Sequence, residues 1–121
     1  MPKREVLYLG KFYTVELAVT ANARCPAKKF LQELSKVDRE KILRVIRRLA
    51  DVGKLANREQ FKKIEGEDFF EFKNFQIRMP CYLLGPRRLI ITHGFIKKKA
   101  WLRPEEIGRM KRIRDEYEKK T

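Results

Sequence analysis

The residues with the clearest chemical potential lie between Lys73 and Arg103. This window contains eight lysines and arginines and one histidine, but no aspartate or glutamate. Lysine and arginine bind phosphate groups, and a histidine titrates near neutrality, where it can accept or donate a proton. A run of cations is often only a solvated face. A window of 31 residues without a carboxylate, in a chain that has 16 of them, favours a nucleic-acid surface instead.

The strands predicted in this window decide which side chains share a face. Alternating apolar residues predict a strand over 77–83, and the apolar run 89–95 predicts a second, more buried strand. Alternation places Arg78 and Tyr82 together on one face. The predicted surface is concave, positively charged and partly aromatic, which suits phosphate contacts and base stacking. Four further cations follow the last strand: Lys97, Lys98, Lys99 and Arg103.

The remaining elements follow from periodicity and capping signals. Period-two alternation predicts a strand over 13–19 and another over 69–73. Pro26 suits the first position of a helix, and Ser35 followed by Asp38 predicts the start of a second helix that ends at Gly53. Pro104 predicts the start of the last helix. The segment 6–9 is either a short strand or an ordered arm.

These elements predict an α+β fold in the order β-α-α-β-β-β-α. We expect a small mixed or antiparallel sheet with its helices on one face, an αα-hairpin and a C-terminal helix. The length of 121 residues predicts a single domain over 1–121, in which 1–12 could form an extra short strand or arm.

Composition narrows the class of partner. The formal charge of +14 is more than solubility needs and indicates a polyanionic partner. Nucleic acid is the first candidate, an acidic protein the second and an anionic membrane surface the third. One histidine and two isolated cysteines, Cys25 and Cys81, fall short of the four ligands of a structural zinc site, so we expect neither metal nor cofactor. The sequence shows no signal-peptide pattern and no long apolar run, which predicts a cytoplasmic protein without a membrane span.

The window resembles the HigB-like branch of the RelE toxin superfamily, found in type II toxin–antitoxin systems. That branch shows Glu-aliphatic-Arg, a lone Arg in the next strand, Leu-Leu-His-x-Phe-x-Lys-Lys, and then Pro with Glu-Ile at the start of the last helix. The corresponding residues are Phe72-Lys73, Arg78, the run 90–98 and the run 104–107. The resemblance covers residues 61–121 by motif and 13–60 by element order.

The resemblance implies a ribosome-dependent mRNA endonuclease. A cognate antitoxin, an acidic or helix-turn-helix protein, would hold it inactive. Family members use cations on a concave sheet, often with a histidine or tyrosine, to cut RNA with its own 2′-OH. Because the nucleophile belongs to the substrate, the protein needs no activated serine or cysteine and no metal. It must orient the phosphodiester, move protons and stabilise the charge of the transition state.

Two sets of site residues follow, each with a simpler alternative. Arg78 is the first choice for phosphate binding, because its window offers no local carboxylate partner. His93 suits proton transfer, but it follows Ile91 on the same face and fits a buried structural histidine equally well. Tyr82 could stack a base or only pack, and single lysines could be merely solvated. The predicted catalytic residues are Arg78, His93, Lys97 and Lys98, and the predicted RNA-binding residues are Lys73, Tyr82, Lys99 and Arg103.

Three positions depart from the family pattern. Lys73 stands where arginine is usual, which keeps the charge but loses bidentate geometry. Pro80 lies inside a predicted strand and implies an edge or a bulge there. Cys81 occupies a position where an aromatic residue is common.

A non-catalytic RNA-binding or ribosome-associated module is the competing function, because binding and cleaving surfaces use the same residues. A DNA-binding domain is less favoured, because the amphipathic second helix is predicted to pack on the sheet.

Overall fold

A computed structural model describes residues 4–98, 100 and 104–119 of the chain. The described part is an α+β structure with a mixed sheet and three helices, as predicted. The predicted order β-α-α-β-β-β-α is not confirmed, because further short strands lie at 61–63 and 95–96. A 3₁₀ turn, Arg58–Gln60, precedes the third strand. The elements are β1 Glu5–Leu9, β2 Thr14–Leu17, α1 Pro26–Glu33, α2 Lys36–Val52, β3 Phe61–Lys63, β4 Phe70–Asn74, β5 Ile77–Leu84, β6 Arg88–Ile91, β7 Phe95–Ile96 and α3 Pro104–Lys119.

The described strands form one seven-stranded sheet in the order β1-β2-β6-β5-β4-β3, with β7 paired to β5. The pairing of β2 with β6 is parallel, and the other pairings are antiparallel. The segment 6–9, for which the sequence allowed a strand or an arm, lies in β1 and pairs with β2. Strand β5 is central, because it pairs with β4 on one side and with β6 and β7 on the other.

The sequence predicted one strand over 89–95, but the structure has two separate strands there, β6 and β7. The last pair between β5 and β6 is Cys81 with Ile91. Beyond it, one backbone bond runs from the Thr92 N–H to the Pro80 carbonyl at 2.9 Å, and the Thr92 hydroxyl donates to the same carbonyl at 3.3 Å. Proline has no N–H to return a second bond, so the ladder stops there. It resumes in β7, where Phe95 pairs with Arg78. The irregularity expected at Pro80 therefore appears as a break in the neighbouring strand.

Capping residues set the ends of α2 as predicted. The Ser35 hydroxyl accepts a hydrogen bond from the Asp38 N–H at 3.2 Å, which satisfies one of the free donors of the first turn. At the other end Gly53 adopts a left-handed conformation with φ of 86°, and its N–H bonds to the Leu49 carbonyl at 2.7 Å. The helix α1 begins at Pro26, also as predicted.

Helices cover both faces of the sheet, so the prediction that they share one face was wrong. The α1–α2 hairpin packs on one face, which includes Met79 and Leu89. The helix α3 packs on the other face, which includes Tyr82 and Ile90. Consecutive apolar residues in β6 make burial of both faces favourable. None of the described helices is long and apolar enough to cross a membrane.

A buried carboxylate anchors α3 to the sheet. Glu16 on β2 is fully buried and accepts hydrogen bonds from Arg88 at 2.7 and 3.0 Å and from Arg4 at 2.8 and 3.1 Å. The Tyr117 hydroxyl of α3 donates a further bond at 3.0 Å. Burial alone would raise the pKa of Glu16, but the bonds from Arg88, Arg4 and Tyr117 outweigh it and lower the pKa to about 2.

We expect Glu16→Gln to lower the free energy of unfolding by about 2 kcal/mol at neutral pH, because the amide gives weaker bonds than the charged carboxylate. The folded-state pKa of Glu16 lies below its ordinary value of 4.5, so its contribution is present above 4.5 and is lost as the pH falls towards about 2. Denaturant unfolding of the wild type and the variant across this range measures both effects. Glu40→Gln, at an exposed position of α2, is the control. Equal stability of Glu16→Gln and wild type at neutral pH would contradict the anchoring role.

Candidate nucleic-acid interface

One half of the sheet face that carries α3 is rich in cations. The core contacts of α3 include Phe69 and Tyr82, towards one end of β4 and β5. Towards the other end, Lys73 lies opposite Arg78, and Arg78 lies opposite Phe95. Paired residues share a face, and so do alternate residues of one strand. We call the following group the basic half-face: Lys62, Glu71, Lys73, Arg78, Phe95 and Lys97.

Arg78 is held at the centre of the basic half-face. Its side chain is only 10% exposed, and its Nη1 donates hydrogen bonds to the Phe75 carbonyl and, at 2.9 Å, to the Ile77 carbonyl. Its Nε lies 3.7 Å from Glu71 Oε1. The expectation that Arg78 lacks a local carboxylate was therefore wrong. Glu71 stands two residues before the acid-free window, and the β4–β5 pairing brings it alongside.

The contact between Glu71 and Arg78 is an ion pair without a closed hydrogen bond. A separation of 3.7 Å is too long for one. Within the described part of the chain, Glu71 Oε2 and Arg78 Nε are both buried without a hydrogen-bond partner. Buried polar atoms are nearly always paired, so these two unpaired atoms mark a place where a water molecule, an ion or a polar group of a ligand can complete the hydrogen bonds.

The carboxyl group of Glu71 is the strongest candidate for proton transfer. Burial raises its pKa above the ordinary value, although the positive charges of Arg78, Lys97, Lys73 and Lys62 act in the opposite direction. A raised pKa makes a carboxyl group a better proton acceptor once it is ionised, because a weaker acid has a more basic conjugate base. Glu71 was not among the site residues predicted from the sequence. The signal that could have found it is its place two residues before Lys73, on the same face of β4 and at the glutamate position of the family pattern.

The lysines predicted as site residues differ in their exposure and in their partners. Lys73 Nζ lies 3.4 Å from Glu59 Oε1. Lys97 is half-buried, and its N–H bonds to the Gln76 carbonyl at 2.7 Å, which fixes the chain just after β7. Lys98 is exposed. Two further predicted residues, Lys99 and Arg103, lie outside the described residues.

His93 lies behind the basic half-face and not on its surface. It is fully buried, with Nδ1 3.0 Å from the Thr92 hydroxyl and Nε2 3.0 Å from Glu106 Oε1. Its ring stacks on Phe95 with 5.6 Å between centroids. Burial, with the charges of Arg109 and Arg112, lowers the pKa of His93 to about 3 although a carboxylate is bound to it. The structure therefore favours the structural alternative, in which His93 positions Phe95.

Tyr82 does not join the basic half-face either. It is 4% exposed, with the Phe69 ring edge-on at 5.8 Å between centroids and the Arg114 guanidinium 6.0 Å from its ring. Burial raises the pKa of its hydroxyl. A base could stack on Tyr82 only if α3 moved away, so the structure favours packing over RNA binding for this residue.

No protein-family model matches the chain, and no curated protein matches it significantly. Among the described residues, no group of three or more His, Cys, Asp and Glu side chains is placed to hold a metal ion. The geometry of the site is that of an imperfectly paired glutamate and arginine on a sheet face that also carries lysines.

We expect His93→Gln to lower the free energy of unfolding, because the buried ring makes two hydrogen bonds in the core. Because the folded-state pKa of His93 lies below its ordinary value of 6.5, the unfolded chain binds a proton that the folded protein does not. Wild-type stability should thus fall as the pH drops below 6.5, and the variant should lack this slope. Denaturant unfolding at about pH 7 and pH 5 measures it. Equal stability of the variant and the wild type at both pH values would contradict the structural role of His93.

Proposed function

We propose that the protein is an endoribonuclease toxin of the RelE/HigB type, which cuts ribosome-bound mRNA in the cytoplasm and is held inactive by an antitoxin. The observation that carries the proposal is the pair of Glu71 and Arg78, a buried carboxyl with a raised pKa beside an arginine, on a sheet face that also carries Lys62, Lys73 and Lys97. The sequence resemblance over 61–121 supports the same function.

In the proposed reaction, Glu71 in its ionised form takes the proton of the RNA 2′-OH. The 2′ oxygen forms a bond to the adjacent phosphorus, and the bond from phosphorus to the 5′ oxygen of the next nucleotide breaks. The products are a 2′,3′-cyclic phosphate and a 5′-OH end, and a lysine, Lys97 or Lys98, gives the 5′ oxygen its proton. No oxidant, cofactor or metal enters this balance.

Arg78 stabilises the charge that builds up on the phosphate in the transition state. Two backbone carbonyls hold its Nη1, so the guanidinium is already oriented before RNA binds. In the proposed complex, the guanidinium and the ammonium groups of Lys73 and Lys97 bind the phosphate, and RNA displaces the contact of Lys73 with Glu59. Preorganised cations on strands need little rearrangement during the reaction, which is why they lower its barrier.

A non-catalytic RNA-binding or ribosome-associated module is the second candidate. The observation that favours it is the burial of the central pair, since each of the two side chains is only 10% exposed. In that case the lysines at the rim would bind phosphates, and Glu71 would only hold Arg78. The two candidates differ in one outcome, the appearance of new RNA ends.

An acidic or helix-turn-helix antitoxin is the proposed protein partner. The net charge of +14 supports an anionic partner as well as RNA, and a free nuclease would harm its host. Induced expression in a bacterial host, followed by mapping of mRNA 5′ ends, tests the toxin itself. Growth arrest with new ends inside translated messages is the expected result, and unaffected growth would favour the binding module.

We expect Glu71→Gln to slow cleavage of ribosome-bound mRNA by about 10²- to 10⁴-fold, because the amide cannot take the 2′-OH proton. The wild-type rate should rise with pH as Glu71 ionises, at a pH above the ordinary range of a glutamate, and the variant should lack this rise. Single-turnover cleavage across pH measures both.

Glu65→Gln, at an exposed position in the turn between β3 and β4, is the matched control and should cleave normally. Arg78→Lys tests the second partner, since it keeps the charge but loses the fork of donors, and we expect a loss of about 10²-fold. Arg78→Ala is unsuitable, because it would leave a buried carboxylate alone at a cost on the order of 3 kcal/mol. Normal cleavage by Glu71→Gln would falsify this site.

A further inference from the structure

Phe75 occupies an unusual position at the turn between β4 and β5. Its side chain is 79% exposed, and its backbone is left-handed with φ of 54°. Glycine and asparagine adopt this conformation readily, whereas a bulky aromatic residue is an outlier there. An exposed aromatic side chain on strained backbone contributes little to folding. Strain that is kept in this way points to a function.

The Phe75 turn is tied to the basic half-face by backbone contacts. Its carbonyl accepts the Nη1 bond of Arg78, and the carbonyl of Gln76 accepts the bond from the Lys97 N–H at 2.7 Å. On the other side, Lys41 Nζ of α2 lies 5.2 Å from the centroid of the Phe75 ring. The turn therefore joins the basic half-face to α2, which packs on the opposite face of the sheet.

The exposed side of α2 that contacts the Phe75 ring through Lys41 carries a stripe of cations. Lys41, Arg44 and Arg48 are three and four residues apart, which places them on one side of the helix. All three are exposed. Within the described part of the chain, none of them forms an ion pair with a carboxylate, so their charge is available to an external anion.

We propose that Phe75 stacks an unpaired RNA base, and that Lys41, Arg44 and Arg48 bind the phosphates that follow. A single strand of RNA would then run from the basic half-face, round the turn and onto α2. This inference deepens the proposed function and rests on it for the nature of the ligand. It does not require cleavage.

The chemistry favours RNA over an acidic protein. An exposed ring flanked by cations is the arrangement with which proteins hold single-stranded nucleic acid, where bases stack and phosphates are neutralised. An aromatic residue that anchors a protein partner would instead sit among energetically neutral contacts that exclude water around it. The two ligands are distinguished by whether binding depends on the base.

The test uses Phe75→Asn, since asparagine tolerates the left-handed backbone but offers no ring. The probes are a single-stranded oligoadenylate RNA of about ten nucleotides and an abasic strand of equal length and charge. We expect the variant to bind oligoadenylate about 5- to 100-fold more weakly, while both proteins bind the abasic strand equally. Its melting temperature should stay the same or rise. Phe75→Trp should retain affinity, and Phe12→Asn, at the other strongly exposed phenylalanine, should change nothing.

The salt dependence of RNA binding tests the stripe of cations on α2 separately. Replacing Lys41, Arg44 and Arg48 together by glutamine should reduce the slope of log affinity against log salt by about 0.7 for each phosphate that the protein no longer neutralises. Phe75→Asn should leave that slope unchanged, because the ring carries no charge.

Three outcomes would overturn the inference. They are unchanged oligoadenylate affinity in Phe75→Asn, an equal loss for both probes, and an unchanged salt slope in the triple variant. If the wild type binds neither probe, the proposed function fails as well. If it binds both but cuts no RNA, the stacking surface stands and only the enzyme is lost.

Discussion

The central position of β5 is the constraint on which the rest of the described structure depends. Its pairing with β4 brings Glu71 alongside Arg78, and its pairing with β7 places Phe95 opposite the same arginine. Its proline interrupts the neighbouring strand, and the break between β6 and β7 contains the buried His93. One strand therefore sets the position of every central group of the basic half-face.

Two buried glutamates in this basic protein show that hydrogen-bond partners determine whether the pKa of a buried carboxyl group is raised or lowered. Glu16 has three donors within bonding distance, and its pKa falls to about 2, so it stays ionised and holds elements together. Glu71 has one cation at 3.7 Å and an oxygen without a partner among the described residues, and burial raises its pKa. The same residue type is held as an anion in one place, whereas in the other burial favours the neutral acid.

Local signals in the sequence predicted much of the fold, because they act over few residues. The cap at Ser35, the stop at Gly53 and the helix start at Pro26 are all confirmed. Alternation along a strand shows which residues share a face of the sheet, but it does not show which helix covers that face. Tyr82 shares its face with Arg78 as expected, but α3 covers it, since the apolar residues of α3 meet that half of the sheet. Glu71 was missed for a related reason, because strand pairing and not sequence distance makes it the neighbour of Arg78.

The parallel pairing of β2 with β6 has a consequence for how the chain folds. It joins residues 14–17 to residues 88–91, whereas β4 and β5 are neighbours along the chain. Closing such a long loop costs entropy that a local hairpin does not pay, so distant pairs form slowly. During synthesis, the hairpin that carries Glu71 and Arg78 can form early, while β2 waits for β6 to leave the ribosome. The part of the basic half-face on β3, β4 and β5 can therefore form first, and Phe95 and Lys97, which follow β6 in the chain, complete it later.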